Sequence, residues 1–166
     1  MKTYVLTLSQ KFQARHPEAG KPTYFDKKVL NAIWEAHRCT TQFPSVGNKL
    51  HTIRANYPLW EKRFEEIKAN RAILSVRQWT GKPYCSKQRI ICNLTASDGI
   101  GLQQLRFARF SDGKTYLDSA HIDGHDVTGP TLAQNDGLTF PDWLAWFRSY
   151  DLTKPMAIIH FTNFRY

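Results

Sequence analysis

The sequence has few acidic residues: 14 Asp and Glu stand against 23 Lys and Arg in 166 residues, giving a formal net charge of +9. It also lacks any apolar run near the ~18 residues that a membrane-spanning helix needs. Thr, Ser and Gln follow the first residues, where a secretory signal has an apolar core. We therefore predict a cytoplasmic protein without membrane contact.

Cysteine is scarce as well. The three cysteines are odd in number and form no C-x-x-C pair, which argues against a thiolate zinc site and for reduced thiols. In the stretch HIDGHD, His121, Asp123 and His125 would share one face of an extended segment. Because spacing fixes no fourth ligand, we favour a polar surface loop there, and we predict neither a metal nor another cofactor.

Hydrophobic residues make up 42% and aromatic residues 13% of the chain, which excludes a disordered protein. The length suits one domain, and we predict a single domain over residues 1–166. Alternating or β-branched patterns predict strands at 3–9, 50–54, 71–79, 87–95 and 156–164. Apolar residues at helical spacing predict helices at 24–38, 57–70 and 139–150.

The remaining segments carry weaker patterns. The segment 102–110 fits neither period, 116–127 is polar and Asp-rich, and 131–135 has the composition of a helix start. The residues SDG at 111–113 predict a turn. Five or six short strands with three unevenly placed helices do not have the regular βαβ order of a parallel sheet. We therefore predict an α+β fold, built as a small, partly open β-barrel with peripheral helices.

Charge is unevenly distributed along the chain. Residues 47–90 contain ten basic and three acidic residues, whereas 112–151 contain two basic and seven acidic residues. Aromatic residues, among them Trp60 and Trp79, lie within the basic block. Basic groups neutralise phosphates and aromatic faces stack on bases, so this mixture suits single-stranded nucleic acid. A solvated basic face with its aromatics in the core would give the same composition.

The residues GNKLHTIR at 47–54 read as G-x-K-x-x-T-x-R. On a strand, Thr52 and Arg54 point to one face, and Lys49 just before it can turn toward the same side. A cation, a hydroxyl and a guanidinium would then converge on one small volume. That combination suits an anionic or polar planar ligand.

This pattern resembles the signature of the ASCH domain, a branch of the PUA-like barrel superfamily. A second resemblance lies in LAQNDGLT at 132–139, followed by the last predicted helix and strand. The likeness spans residues 25–164 in outline and is specific in 47–54 and 133–164. It implies an ASCH-like barrel with a core at about 24–164 and a helical insertion at about 56–70, where the family usually has a short Gly-Asp turn.

Some ASCH proteins are amidohydrolases that remove the acyl group from an N4-acylated cytidine. The resemblance implies that Lys49, Thr52 and Asp136 are catalytic, although family enzymes have Glu at the acidic position. Lys49 would be base or nucleophile, Thr52 would supply a hydroxyl, and Asp136 would orient them or transfer a proton. Arg54 would hold the nucleobase of the substrate or the negative charge that develops during the reaction.

A non-catalytic module that binds RNA or a modified nucleoside is the alternative, favoured by Asp in place of Glu and by the inserted helix. We expect RNA or a modified nucleoside as partner and no obligate protein partner. The candidate ligand-binding residues are Asn48, Arg54, Trp60, Arg77 and Trp79. The tryptophans are ambiguous, because core packing explains each about as well as ligand stacking.

Overall fold

The computed structural model describes residues 1–109 and 115–166, so the turn predicted at 111–113 lies outside the described residues. The strands are β1 (Lys2–Leu8), β2 (His51–Arg54), β3 (Ala72–Trp79), β4 (Gln88–Leu94), β5 (Gly101–Arg109), β6 (Thr115–Ile122), β7 (His125–Thr128) and β8 (Met156–His160). The helices are α1 (Phe25–Ala36), α2 (Tyr57–Lys68), α3 (Gly129–Asn135) and α4 (Phe140–Phe147). The predicted α+β class is confirmed, with more elements than the sequence patterns indicated.

The strands form two sheets. The smaller has the order β1-β3-β4, with β1 parallel to β3 and β4 antiparallel to it. The larger has the order β2-β8-β5-β6-β7 and is antiparallel throughout. Across the described residues no strand pairing joins the two sheets, so they do not form a closed barrel there.

The additional strands come from the segments with weak patterns. β5 alternates buried and less buried positions over residues 101–108, but Gly101 and Gln103 occupy buried positions, so the polarity of its sequence does not follow the alternation. The strand pairs with both β6 and β8. β6 and β7 form a hairpin whose turn residues Asp123 and Gly124 both have positive φ, as a tight hairpin turn requires. The hairpin lies at the edge of its sheet, and β7 is largely exposed, which explains its polar sequence.

The helices cover the sheets through their apolar faces. In α2 the buried residues are Trp60, Phe64 and Ile67, and the Asn56 side chain caps the helix by accepting from the Leu59 amide. The helix predicted at 57–70 is therefore present as α2, and it packs against β3 and β5. No helix in the described ranges is long and apolar enough to cross a membrane.

Candidate functional site

Three segments distant in sequence meet at the start of β2. The Lys49 amide donates to the Lys28 carbonyl of α1 at 3.0 Å, and the Leu50 amide donates to the Asn135 carbonyl of α3 at 2.8 Å. The chain between these contacts is therefore held between two helices. This brings the predicted residues Lys49 and Asp136 together although 87 positions separate them.

Asp136 lies at the end of α3, where the chain turns through Gly137. The Gly137 amide donates to the Gln134 carbonyl and the Leu138 amide donates to the Ala133 carbonyl, each at 3.0 Å. With Gly137 at φ +77°, this is the Schellman arrangement that ends many helices. A Cβ on Gly137 would lie 3.1 Å from the Lys49 Cβ, so a side chain there would crowd Lys49 in addition to straining the backbone.

Lys49 is buried with only 1% of its surface exposed, and Asp136 is buried beside it. The Lys49 Nζ donates to the Asp136 main-chain oxygen at 2.5 Å and also to the Asp136 carboxylate. The same Nζ lies 4.1 Å from the centre of the Phe25 ring. The ammonium is thus held by one carboxylate, one carbonyl and one aromatic face.

Burial shifts the ionisation of both partners toward the neutral forms. It lowers the pKa of Lys49 to about 8, with Asp136 opposing the shift and nearby cations adding to it. Burial likewise raises the pKa of Asp136, against the pull of Lys49. With a pKa of about 8, Lys49 is mainly charged at neutral pH but loses its proton about one pH unit above it.

Thr52 and Arg54 project from β2 to the same side, as the strand alternation predicted. The Arg54 guanidinium donates to Thr52 Oγ1 at 3.0 Å and to the Thr7 carbonyl at 2.8 Å. Burial lowers the pKa of Arg54 from its usual value. Because Thr52 accepts from Arg54, its own hydroxyl hydrogen is available to donate.

The side chains of Lys49, Thr52, Arg54 and Asp136 line one cavity of about 190 Å³. At roughly 30 Å³ per water molecule, the space equals about six waters, which suits one small planar group. The remaining walls come from β1 and the loop after it, α1, β2, and α4 with its flanking residues, through Thr7, Ser9, Gln13, Phe25, Ile53, Leu138, Trp146, Phe147 and Tyr150. The cavity therefore combines an aromatic and apolar wall with a cationic and hydroxylic one.

The other candidate ligand-binding residues lie elsewhere. Trp60 is a core residue, 6% exposed, and its helical spacing with Phe64 explains why. Asn48 donates to the Glu35 carboxylate at 2.5 Å, and Arg77 donates to Ser75 Oγ at 2.9 Å, so neither lines this cavity. Trp79 lines a separate groove beside it.

Several contributors were not anticipated from the sequence. Phe25 lies in the helix predicted at 24–38, and Tyr150 is the last residue of the helix predicted at 139–150. Lys28, whose Nζ donates to the Gly137 carbonyl at 2.6 Å, adds a half-buried cation near the pair. No local pattern marks these residues, because their role depends on which elements pack together.

The acidic and histidine-rich turn is a surface feature. His121 Nδ1 and Asp126 Oδ1 lie 3.0 Å apart, and both side chains are largely exposed. Within residues 1–109 and 115–166 no three His, Cys, Asp or Glu side chains lie together as a metal site would require.

Comparison with protein-family models, with curated proteins and with solved structures finds no match for this chain.

Proposed function

We propose that the cavity binds an N4-acylated pyrimidine nucleoside and hydrolyses its acyl amide, within an ASCH-like, PUA-like domain. One observation carries the proposal: a buried lysine with a pKa near 8 faces a cavity that also holds a hydroxyl and a guanidinium. A planar pyrimidine fits the cavity's size, and Phe25 and Trp146 supply apolar wall for its ring. The sequence resemblance at residues 47–54 points to the same chemistry.

Lys49 is the proposed base. At pH 7 a pKa of about 8 leaves roughly a tenth of Lys49 as the free amine. An amine keeps two N–H groups, enough for both Asp136 oxygens, and gains a lone pair that can take a proton from water or from Thr52. Asp136 then holds the amine in position and stabilises the ammonium that forms.

The reaction consumes one water and needs no other reactant. The water oxygen bonds to the acyl carbon while Lys49 takes one water proton, and the negative charge on the acyl oxygen develops next to Arg54. Lys49 then delivers that proton to N4 as the bond between carbon and nitrogen breaks. Cytidine leaves with an intact amino group, and the carboxylic acid keeps the second water proton until it ionises and releases that proton to solvent.

The test is cytidine release from N4-acetylcytidine by the purified protein. We expect turnover by the wild type, and none by Lys49→Met that retains native circular dichroism. Lys62→Met is the matched control, because Lys62 is an exposed lysine on α2 outside the cavity. The rate should rise about tenfold per pH unit toward pH 8 and then level off. A folded wild type without turnover contradicts the hydrolase, and an active Lys49→Met contradicts its mechanism.

The second candidate is a binding module without turnover. Lys49 is mainly charged at neutral pH, and a fixed cation facing a planar cavity suits recognition as well as chemistry. Calorimetry separates the two functions, because a module binds N4-acetylcytidine stoichiometrically and releases it unchanged. A cytoplasmic location is part of the same proposal and is supported by three cysteines that are all free.

A further inference from the structure

A larger groove, of about 970 Å³, opens beside the cavity. It runs between the loop after β1 and the turn that connects β3 to β4. Thr7, Ser9 and Gln13 line both spaces. The cavity and the groove therefore adjoin at these three residues.

The far end of this groove carries an exposed aromatic pair. Tyr84 is 90% exposed, and its ring centre lies 5.3 Å from that of Trp79, which is half-buried. Tyr84 also has a left-handed backbone, with φ at +63°. That conformation costs about 1–2 kcal/mol for a non-glycine residue, and an exposed ring recovers little by burial.

The turn that carries Tyr84 is held in place by its own hydrogen bonds. The Thr80 amide donates to the Lys87 carbonyl at 2.9 Å, and the Gly81 amide donates to Ser86 Oγ at 3.0 Å. Ser86 Oγ in turn donates to the Lys82 carbonyl at 2.9 Å. Tyr84 is thus presented by a fixed loop, which lowers the entropy lost when a ligand stacks on it.

The groove is positively charged. Lys11 and Lys82 are exposed along it, and neither makes an ion pair with any residue that the structure describes. Among the described residues lining the groove there is no Asp or Glu. Free lysines beside an exposed aromatic pair match the two components of a single-stranded nucleic acid, phosphates and flat bases.

We propose that this groove, from Gln13 to Trp79 and Tyr84, binds single-stranded RNA, so that the base entering the cavity belongs to an RNA strand. A neighbouring base stacks on the exposed ring of Tyr84, which itself packs against Trp79. Lys11 and Lys82 contact phosphates. The identity of the base in the cavity rests on the proposed function; the binding of a strand in the groove does not. The inference names the substrate class as a polynucleotide.

The first experiment measures binding alone, by anisotropy of a fluorescein-labelled, unmodified single-stranded RNA octamer. We expect Tyr84→Ala to weaken binding at least about fivefold, the lower range for loss of one base stack. The double variant Lys11→Gln/Lys82→Gln should reduce the slope of log K against log salt by about 1.4, at roughly 0.7 per phosphate contact.

The matched controls lie outside the groove. Tyr24→Ala removes an exposed tyrosine, 43% accessible, that also has a left-handed backbone, with φ at +55°. Lys62→Gln removes one exposed positive charge on α2. Both should bind like the wild type. RNA binding by Tyr84→Ala equal to the wild type overturns the inference, as does Tyr84-dependent binding of a proline-rich peptide in place of RNA.

The second experiment compares kcat/KM for free N4-acetylcytidine with kcat/KM for the same base inside the octamer. We expect the wild type to prefer the octamer and Tyr84→Ala to reduce that preference. Turnover of both substrates without preference, and without any effect of Tyr84→Ala, overturns the groove and leaves the hydrolase standing. Tyr84-dependent binding of the octamer without turnover of either substrate overturns the hydrolase and leaves the groove standing.

Discussion

Replacing Asp136 with asparagine removes the negative charge of the buried pair but keeps an oxygen to which Lys49 can donate. In the wild type a pKa of about 8 favours the Lys49 ammonium about tenfold at pH 7, or about 1.4 kcal/mol. Without the carboxylate, Lys49 can give up its proton and remain buried as an amine. About 1.4 kcal/mol of unfolding free energy is therefore the most that loss of this charge costs at pH 7.

The cost should depend on pH with a definite sign. At pH 7 the native wild type holds a proton on Lys49 that the native variant has lost, whereas the unfolded chains are alike at this residue. The difference in stability therefore shrinks as pH rises through about 8. At pH 9 the wild-type lysine is itself mainly an amine, and Asp136→Asn should be close to the wild type.

The companion variant Lys49→Met leaves a carboxylate buried without its cation. Asp136 must then be protonated, which at pH 7 costs up to about 4 kcal/mol relative to an ordinary aspartate. This penalty exceeds that of Asp136→Asn and decreases as pH falls toward 4. The double variant Lys49→Met/Asp136→Asn removes both charges and should recover much of the loss.

Urea unfolding followed by tryptophan fluorescence measures all three variants, since the chain has five tryptophans. The measurements are made at pH 7 and pH 9. Asp136→Asn that loses more than about 3 kcal/mol at both pH values would refute the reasoning, because Lys49 could then not relieve its charge by losing a proton.

Three further predictions concern groups near or behind the site. Gly137→Ala should lower the unfolding free energy by about 1–2 kcal/mol, because φ is +77° and the new Cβ meets Lys49; a neutral result in urea contradicts this. Burial lowers the pKa of His160 to about 3, so the unfolded chain binds more protons there below pH 6.5, and His160 should contribute about 2 kcal/mol to a fall in stability between pH 7 and 5. Buried His51, whose pKa is also lowered, adds to the fall, so His160→Phe should reduce it by about 2 kcal/mol in urea titrations, and an unchanged pH dependence contradicts this. Burial raises the pKa of the Cys92 thiol to about 12, so Ellman's reagent at pH 7.5 should find two fast thiols and one slow one; three equal rates contradict this.

The elements with strong local patterns could be predicted from the sequence. Strand alternation anticipated β1 and β2, and helical spacing anticipated α1 and α2, because both periods follow from the side a residue faces. The pairing of the strands could not be obtained in this way. β1 joins β3 in parallel across some 60 intervening residues, and no periodicity records which strands become neighbours.

The site divides along the same line. Alternation on one strand was enough to place Thr52 and Arg54 on one side. The contact of Lys49 with Asp136 came from a resemblance, because the two elements meet only in the folded chain. Tyr84 is one of the aromatic residues of the basic block, but the sequence does not distinguish it from the buried Trp60, since its exposure and backbone conformation arise from a loop that other residues hold.

Several unfavourable features of this fold lie together around one cavity. Lys49 and Asp136 are buried charges that well-packed apolar residues of similar volume could replace without loss of stability. Gly137 has a left-handed backbone against that pair, and the guanidinium of Arg54 is partly withdrawn from water. Elsewhere in the core, residues 156–159 of β8 and the inner face of α2 are apolar, and stability alone explains them. His160 at the end of β8 is an exception outside the cavity lining, because both nitrogens of its buried ring lack a hydrogen-bond partner among the described residues. Local costs that collect at one place and have a chemically coherent set of groups are what a functional site produces. The same reasoning extends to Tyr84, where an exposed ring and a strained backbone occur together at the far end of the adjoining groove.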